Sequence, residues 1–442
     1  MLIDFPKVSG VIVQGMDQVR IPRMVTIRQI YDSSAIGDIP EHIRSRMKWE
    51  LKNPEWFAGK RICVTVGSRG IPHLDVIVKT VCNQLKAWDA KPFLIPAMGS
   101  HGGGTAEGQS GILAGYGITK ESMGVPVMAS MEVVQYGELS NGTPLYCDKL
   151  AFESDGIVIL NKVKPHTDFR GEHESGLAKM IAIGLAKHIG ASAFHLQGFS
   201  EFSKRVPEAA EIFLKKAPVA FGIGLVQNAY DEICAIEAAE PEKIMEMDKE
   251  LLALAKQRLA TFKFDSLDVL VIDEIGKNIS GYGQDPNVTG RANGSDESFR
   301  HILELNKMVI LGVTEQSHHN GSGIAEADVT TLRCMRGIDW AQVWTNLITS
   351  TEIQGCKMPM YADCDRDAVL LAIRSCSGVD FSKIRMAHIR NTSELHEIEV
   401  SEELYRLIKD RKDIELVRGP HELIFDQDGY LINTGIDNSD GV

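Results

Sequence analysis

Read for the spacing of its apolar positions, the chain is irregular over residues 1–58 and regular from Arg61 onward. "RICVTVGS" is a short β-branched run closed by Gly-Ser, which predicts a strand. "PHLDVIVKTVCNQLKAW" carries Leu74, Val78, Val81 and Leu85 at helical spacing, with Pro72 near its start. "KPFLIPAMGSHGGG" reads as the next strand with a glycine-rich loop, and "TAEGQSGILAGYGI" as a helix with Thr105 as N-cap. This β-α-β-α succession predicts a parallel sheet covered by helices.

The same pattern continues. "DGIVILNKVKPH" predicts a buried strand, and "SGLAKMIAIGLAKHIGA" one helix capped by Ser175. "PVAFGIGLVQN" and "EICAIEAAE" predict further strands. A charged and apolar helix from Pro241 closes a first domain, and "FKFDSLDVLVIDEIGKNISG" restarts the strand–loop pattern. The expected fold is therefore α/β, with two α/β domains at 1–262 and 266–442 and parallel-type sheets. In the second domain, residues 307–317 predict a strand, and 339–351 and 365–376 helices. The strand-like tail "RGPHELIFDQDGYLI" is expected to pack back on the first domain.

Length and composition narrow the class. A chain of 442 residues exceeds one ordinary core. Its 44% apolar and 24% charged residues are those of a globular protein. A net charge of -13 argues against a nucleic-acid partner. The start "MLIDFPKVSG" has no signal-peptide pattern, and no window approaches a membrane span, so a cytoplasmic protein is expected. Eight cysteines are scattered without a CxxC pair, which argues against a zinc ribbon, an iron–sulfur site or a disulfide framework.

Three predicted strand ends concentrate chemistry: "GSRG" with Ser68 and Arg69, "MGSHGGG" with His101, Gly102, Gly103 and Gly104, and "NKVKPHTDF" with His166. Parallel strands would bring them to one sheet edge, where ligands gather. Imidazoles exchange protons near neutral pH, and a guanidinium holds a carboxylate in a fork. A lone strand-end histidine is more often a hydrogen-bonded loop residue. The glycines could serve only positive φ or could offer backbone N–H groups to a phosphate. Lys179 lies among small and apolar residues, either snorkelling or poised as a nucleophile. His195 follows 16 residues later. In the second domain, Lys277, Tyr282, Gln284, Asn287 and Arg291 of a polar, glycine-rich loop are candidates for an anionic ligand. His318 and His319, adjacent in a loop, make a poor metal pair.

The combination resembles the lactate racemase family, enzymes that use a nickel-pincer nucleotide. The resemblance runs from about Arg61 to Phe202 and recurs more weakly in the polar loop. It rests on Arg69, His101, Pro165-His166, Lys179 and His195. It implies two α/β domains with the active site in the cleft between them. It implies a pyridinium mononucleotide with two sulfur-bearing arms, tethered to Lys179 by a thioamide. Nickel would be held by a ring carbon, both sulfurs and His195, a planar set suited to Ni(II). His101 and His166 would be the two acid–bases, and Arg69, Lys277 and Gln284 would bind substrate. Ser68 and Gly102–Gly104 would contact the cofactor. The expected partners are a small hydroxy acid and cofactor-biosynthesis proteins, with no nucleic acid and no membrane.

The chain also departs from the family pattern. Val66 and Gly67 stand where an acidic residue usually precedes the arginine. The interval from His166 to Lys179 is longer and holds Asp168, Arg170, Glu172, His173 and Glu174. These groups suggest a larger, more hydroxylated substrate than lactate, such as a sugar acid. The rival readings are a metal-independent phosphate-handling transferase or hydrolase, and a nucleotide- or cofactor-binding protein without turnover.

Overall fold

A computed structural model describes residues 5–8, 15–67, 70–292 and 297–432. It divides into two compact units, one of residues 1–31 with 260–442 and the other of residues 32–259. This differs from the expected split at 262–266, because the first 31 residues belong with the C-terminal part. Strand β1 (Met24–Gln29) carries them there.

The unit of residues 32–259 holds β2 (Arg61–Val66), β3 (Lys91–Pro96), β4 (Val133–Glu138), β5 (Pro144–Asp148), β6 (Gly156–Lys162), β7 (Val219–Gln227) and β8 (Ile233–Ala239). Five of these form a sheet in the order β3-β2-β6-β7-β8, while β4 and β5 pair separately. The first four strands of that order are parallel and β8 is antiparallel. Alternation explains how both faces are covered. Cys63, Ile95, Ile157 and Ile159 enter one core with Leu177, Phe202 and Leu251. Val64, Leu94, Val158 and Leu160 enter the other with Leu74, Val78 and Val81. Burying one such side chain contributes about 1.5–3 kcal/mol.

Strand order positions the loops. From β2 the chain moves to β3 on one side and later returns to β6 on the other. The three carboxyl ends are therefore neighbours, at a point where the winding direction reverses.

The expected single helix after Ser175 is broken. It runs as an α-turn over Leu177–Lys179, a π-helical turn over Met180–Gly184 and an α-helix over Lys187–His195. The two arms meet at 105°, and Lys187 at the corner has φ 55. Ser175 does not cap it. Gly176 is the N-cap, and the Asp248 carboxylate accepts the Leu177 N–H at 2.5 Å. A Cβ on Gly176 would overlap that carboxylate oxygen, so only glycine admits it. Thr105 does cap its helix, accepting from the Gly108 N–H.

The other unit adds β9 (Ser266–Ile272), β10 (Glu304–Ile310), β11 (Val329–Thr331), β12 (Met360–Ala362), β13 (Met386–Ile389), β14 (Glu397–Ser401) and β15 (Ile414–His421). Its eight-stranded sheet runs β12-β11-β10-β9-β13-β14-β1-β15. The segment β12 to β13 is parallel, and β14, β1 and β15 continue it antiparallel. Both sheets are therefore mixed rather than purely parallel. The tail strand β15 packs on β1, which lies in the same unit rather than a separate first domain. Among the described residues no single helix is long and apolar enough to cross a membrane.

Candidate active site

Beyond β6 the chain makes a closed excursion. Lys164 and Ser175 pair backbone to backbone at its neck. Inside it, buried Glu174 accepts the His166 N–H at 2.8 Å and the Gly171 N–H at 3.2 Å, and pairs with Lys256 at 2.7 Å. The loop is thus tied to the helix Ile244–Arg258 through a carboxylate that is fully removed from solvent. His173 is bound to the same helix, with Nδ1 2.8 Å from Asp248. Glu172 pairs with Lys249 at its surface. Three of the polar residues in the long His166–Lys179 interval therefore hold the loop in place. Asp168 and Arg170 are engaged as well: the Asp168 carboxylate lies 3.4 Å from His166 Nδ1 and accepts from Thr167 at 2.6 Å, and Arg170 lies 3.7 Å from Glu174.

His166 ends up mostly buried, with its Nδ1 accepting the Asp168 N–H at 3.0 Å and its Nε2 hydrogen-bonded to Lys179 Nζ. Its ring packs on Phe169 at 4.5 Å and on Phe199 at 5.8 Å between centroids. The 105° corner brings the end of the Lys187–His195 arm to the same aromatic wall. His195 lies 5.6 Å from Phe199 and 5.4 Å from Phe202. His166, Lys179 and His195 are therefore one cluster. Phe169, Phe199, Phe202 and Asp248 complete it and were not singled out from sequence. The phenylalanines at 199 and 202 have helical spacing that equally describes ordinary core, and Asp248 lies 69 residues from Lys179.

Electrostatics sets His195 apart. Burial, and then the nearby Lys179, push its pKa down to about 4, so the imidazole is neutral at ordinary pH. Its Nδ1 is sealed from solvent and has no hydrogen-bond partner. A buried polar atom left unsatisfied is costly and calls for an explanation such as an ion or ligand. Among the described residues no three His, Cys, Asp or Glu side chains gather to hold a metal by themselves. A metal here would have to bring most of its ligands with it. The donor set fits such a group: one neutral imidazole with a vacant buried nitrogen, beside a lysine amine.

His101 lies beyond β3, exposed, on a loop whose Gly102, Gly103 and Gly104 have φ of 65, 67 and 66. All three need the left-handed region that a side chain disfavours. The loop is linked to the corner, since Gly99 donates to Gly184 O at 3.0 Å. Ser68 and Arg69 lie outside the described residues.

The second-domain candidates belong to the other unit and are engaged within it. Gln284 is fully buried, donating to Arg291 O at 2.6 Å and accepting from Thr289 at 2.5 Å. Lys277 is bound to Asn346. Arg291 spans Leu305 O, Asn306 O and Asp328, Tyr282 donates to Glu326 at 2.9 Å, and Asn287 is held by Asp285. These contacts brace the loop. His318 and His319 are exposed, with φ of 52 and 61.

Residues 53–205 match the family model of the lactate racemase N-terminal domain. The lactate racemase apoprotein of Thermoanaerobacterium thermosaccharolyticum is 15% identical, with 65% of this chain and 74% of that chain covered and a TM-score of 0.45. A Thermotoga maritima protein from a structural genomics programme is 16% identical, with 78% and 92% covered and a TM-score of 0.46. No curated protein matches the chain.

Proposed function

We infer that this chain, a divergent member of the lactate racemase family through its residues 53–205, is an isomerase-type enzyme that racemises or epimerises 2-hydroxy acids. The observation that carries this reading is the partnerless, buried Nδ1 of His195 beside the Lys179–His166 pair. In this reading Lys179 tethers a nickel-pincer nucleotide and His195 offers its neutral nitrogen to the nickel. When bound, that group supplies an acceptor for the hydrogen that leaves the substrate carbon as hydride.

The chain's own residues do the rest. His166 and His101 take the hydroxyl proton on one side and return it on the other, each contributing about 10²–10⁴ in rate. Arg69 holds the carboxylate in a bidentate fork. A tether at Lys179 would take its amine out of the basic form and leave His166 Nε2 to the substrate. Phe169, Phe199 and Phe202 shield the cluster from water, which strengthens its electrostatics. Asp168, 3.4 Å from His166 Nδ1, would contact the further hydroxyls of a substrate larger than lactate.

Protein produced in cells that also make the pincer nucleotide tests the reading. Intact mass should reveal an adduct on Lys179 with bound nickel, and a panel of 2-hydroxy acids should include one that is interconverted. Unmodified, nickel-free protein from such cells would overturn it.

A further inference from the structure

Lys187 is a fully buried cation, and the acid–base reading gives it no chemical step. Its side chain and that of Asp148 are both completely removed from solvent, with Nζ 2.9 Å from Oδ2. Nζ also donates to Pro96 O at 2.6 Å and to Gln109 Oε1 at 3.3 Å. Gln109, equally buried, turns its amide N–H groups onto Gly99 O at 2.9 Å and His101 O at 3.3 Å. One ammonium therefore reaches, directly or through a single amide, three carbonyls of the segment that ends at His101.

The same lysine is the corner of the broken helix. It occupies the left-handed region, which a non-glycine residue enters at a cost unless its surroundings hold it. Asp148 holds it from a second direction, since its backbone N–H donates to Leu185 O at 2.7 Å. Stability alone is a poor reason for such a pair, because well-packed apolar residues often serve as well or better. Direction is what an apolar pair cannot supply.

We propose that Lys187, with Asp148 and Gln109, is a positioning residue that holds the His101 loop in register with the Lys179–His195 corner. Its importance for turnover rests on the reading of His101 as an acid–base. The geometric part does not. The loop and the corner come from segments some 90 residues apart, and Lys187 joins them by hydrogen bonds with fixed directions.

The paired variant Asp148→Asn with Lys187→Met tests this on the full chain, because it removes both charges and leaves neither orphaned. The introduced amide keeps an oxygen for the Ala151 N–H that Asp148 now receives. Amide hydrogen exchange over residues 97–105 should accelerate about tenfold or more while exchange within β6 stays unchanged. Gln109→Leu, which leaves the charges intact, should accelerate the same segment and serves if the pair fails to fold. An equal rise in both segments, or an unchanged loop in the Gln109 variant, overturns the proposal. In the nickel-loaded holoenzyme, kcat should fall about tenfold with KM within about threefold, as expected when an interaction specific to the transition state is lost. If the parent interconverts no hydroxy acid, the enzymatic reading fails, and the exchange measurement still decides the positioning role.

Discussion

His166 and Lys179 face each other nitrogen to nitrogen, with ring Nε2 and side-chain Nζ hydrogen-bonded. Nδ1 of the same ring already accepts the Asp168 N–H, so both ring nitrogens are engaged within the cluster. Replacing Lys179 with Met removes the Nε2 partner. The His166 ring C–H signals should then shift in the NMR spectrum of the folded variant. Unmoved signals would mean that the two side chains do not touch.

His195 carries the opposite signature. Its pKa of about 4 keeps it neutral well below the ordinary histidine range. The folded form resists a proton that the unfolded chain accepts, so stability linked to His195 is present above pH 6.5 and lost as pH falls toward 4. His195→Phe should flatten that acid limb in a plot of Tm against pH between 4 and 6.5.

The same residue should govern metal content. His195→Ala in protein from cofactor-making cells should lower bound nickel severalfold or more, in line with the loss of a ligand. Elemental analysis beside an unchanged circular dichroism spectrum checks it. Normal nickel in a folded variant removes His195 from the metal's ligands.

Asp248 supports the site from behind. Its two oxygens bind His173 Nδ1 and the Leu177 N–H, at the start of the helix that bears Lys179. Asp248→Ala leaves both buried donors without that acceptor and should cost about 1–3 kcal/mol per group in urea unfolding. A loss below about half a kcal/mol would contradict the burial and geometry on which the prediction stands.

In the other unit, His388 is enclosed at 2.7 Å from Asp273 and 2.8 Å from Glu399. Burial opposes its cation, but the two carboxylates outweigh burial and push its pKa up to about 10. The raised pKa means its contribution is full below 6.5 and is lost as pH rises to about 10. Tm should fall across that alkaline window in the parent and fall less in His388→Gln.

Much of this was legible in sequence, and the exceptions share a cause. β2, β3, β6 and β9 announce themselves because parallel strands buried on both faces are uninterrupted apolar runs. Thr105 was legible because its cap is local. The turn at Lys187 was not, because the apolar spacing of "SGLAKMIAIGLAKHIGA" is that of one helix and the force that bends it comes from Asp148 and Pro96. Gly176 displaced Ser175 for the same reason, with the capping carboxylate arriving from residue 248. The weakly patterned strand β1 could be read only with its partners β14 and β15, which pair with it across nearly the whole sequence. Of the candidate residues, His166, Lys179 and His195 were recognisable by residue type and interval, whereas their aromatic wall was not.

The threading of the chain has a consequence for biosynthesis. β1 leaves the ribosome before residues 32–259, yet its hydrogen-bonding partners β14 and β15 leave after them. In between, residues 32–259 can close on themselves, helped by the ion pair of Asp32 with Arg258 where that unit starts and stops. The nascent protein must then carry a finished mixed sheet and an unpaired strand β1 until residues 397–421 are made. Such a strand is an invitation to aggregate while it waits. Slowed translation or truncation after Arg258 should therefore leave a folded middle with an exposed β1, and chaperone dependence should track the time taken to synthesise residues 260–421 rather than the stability of the part already folded.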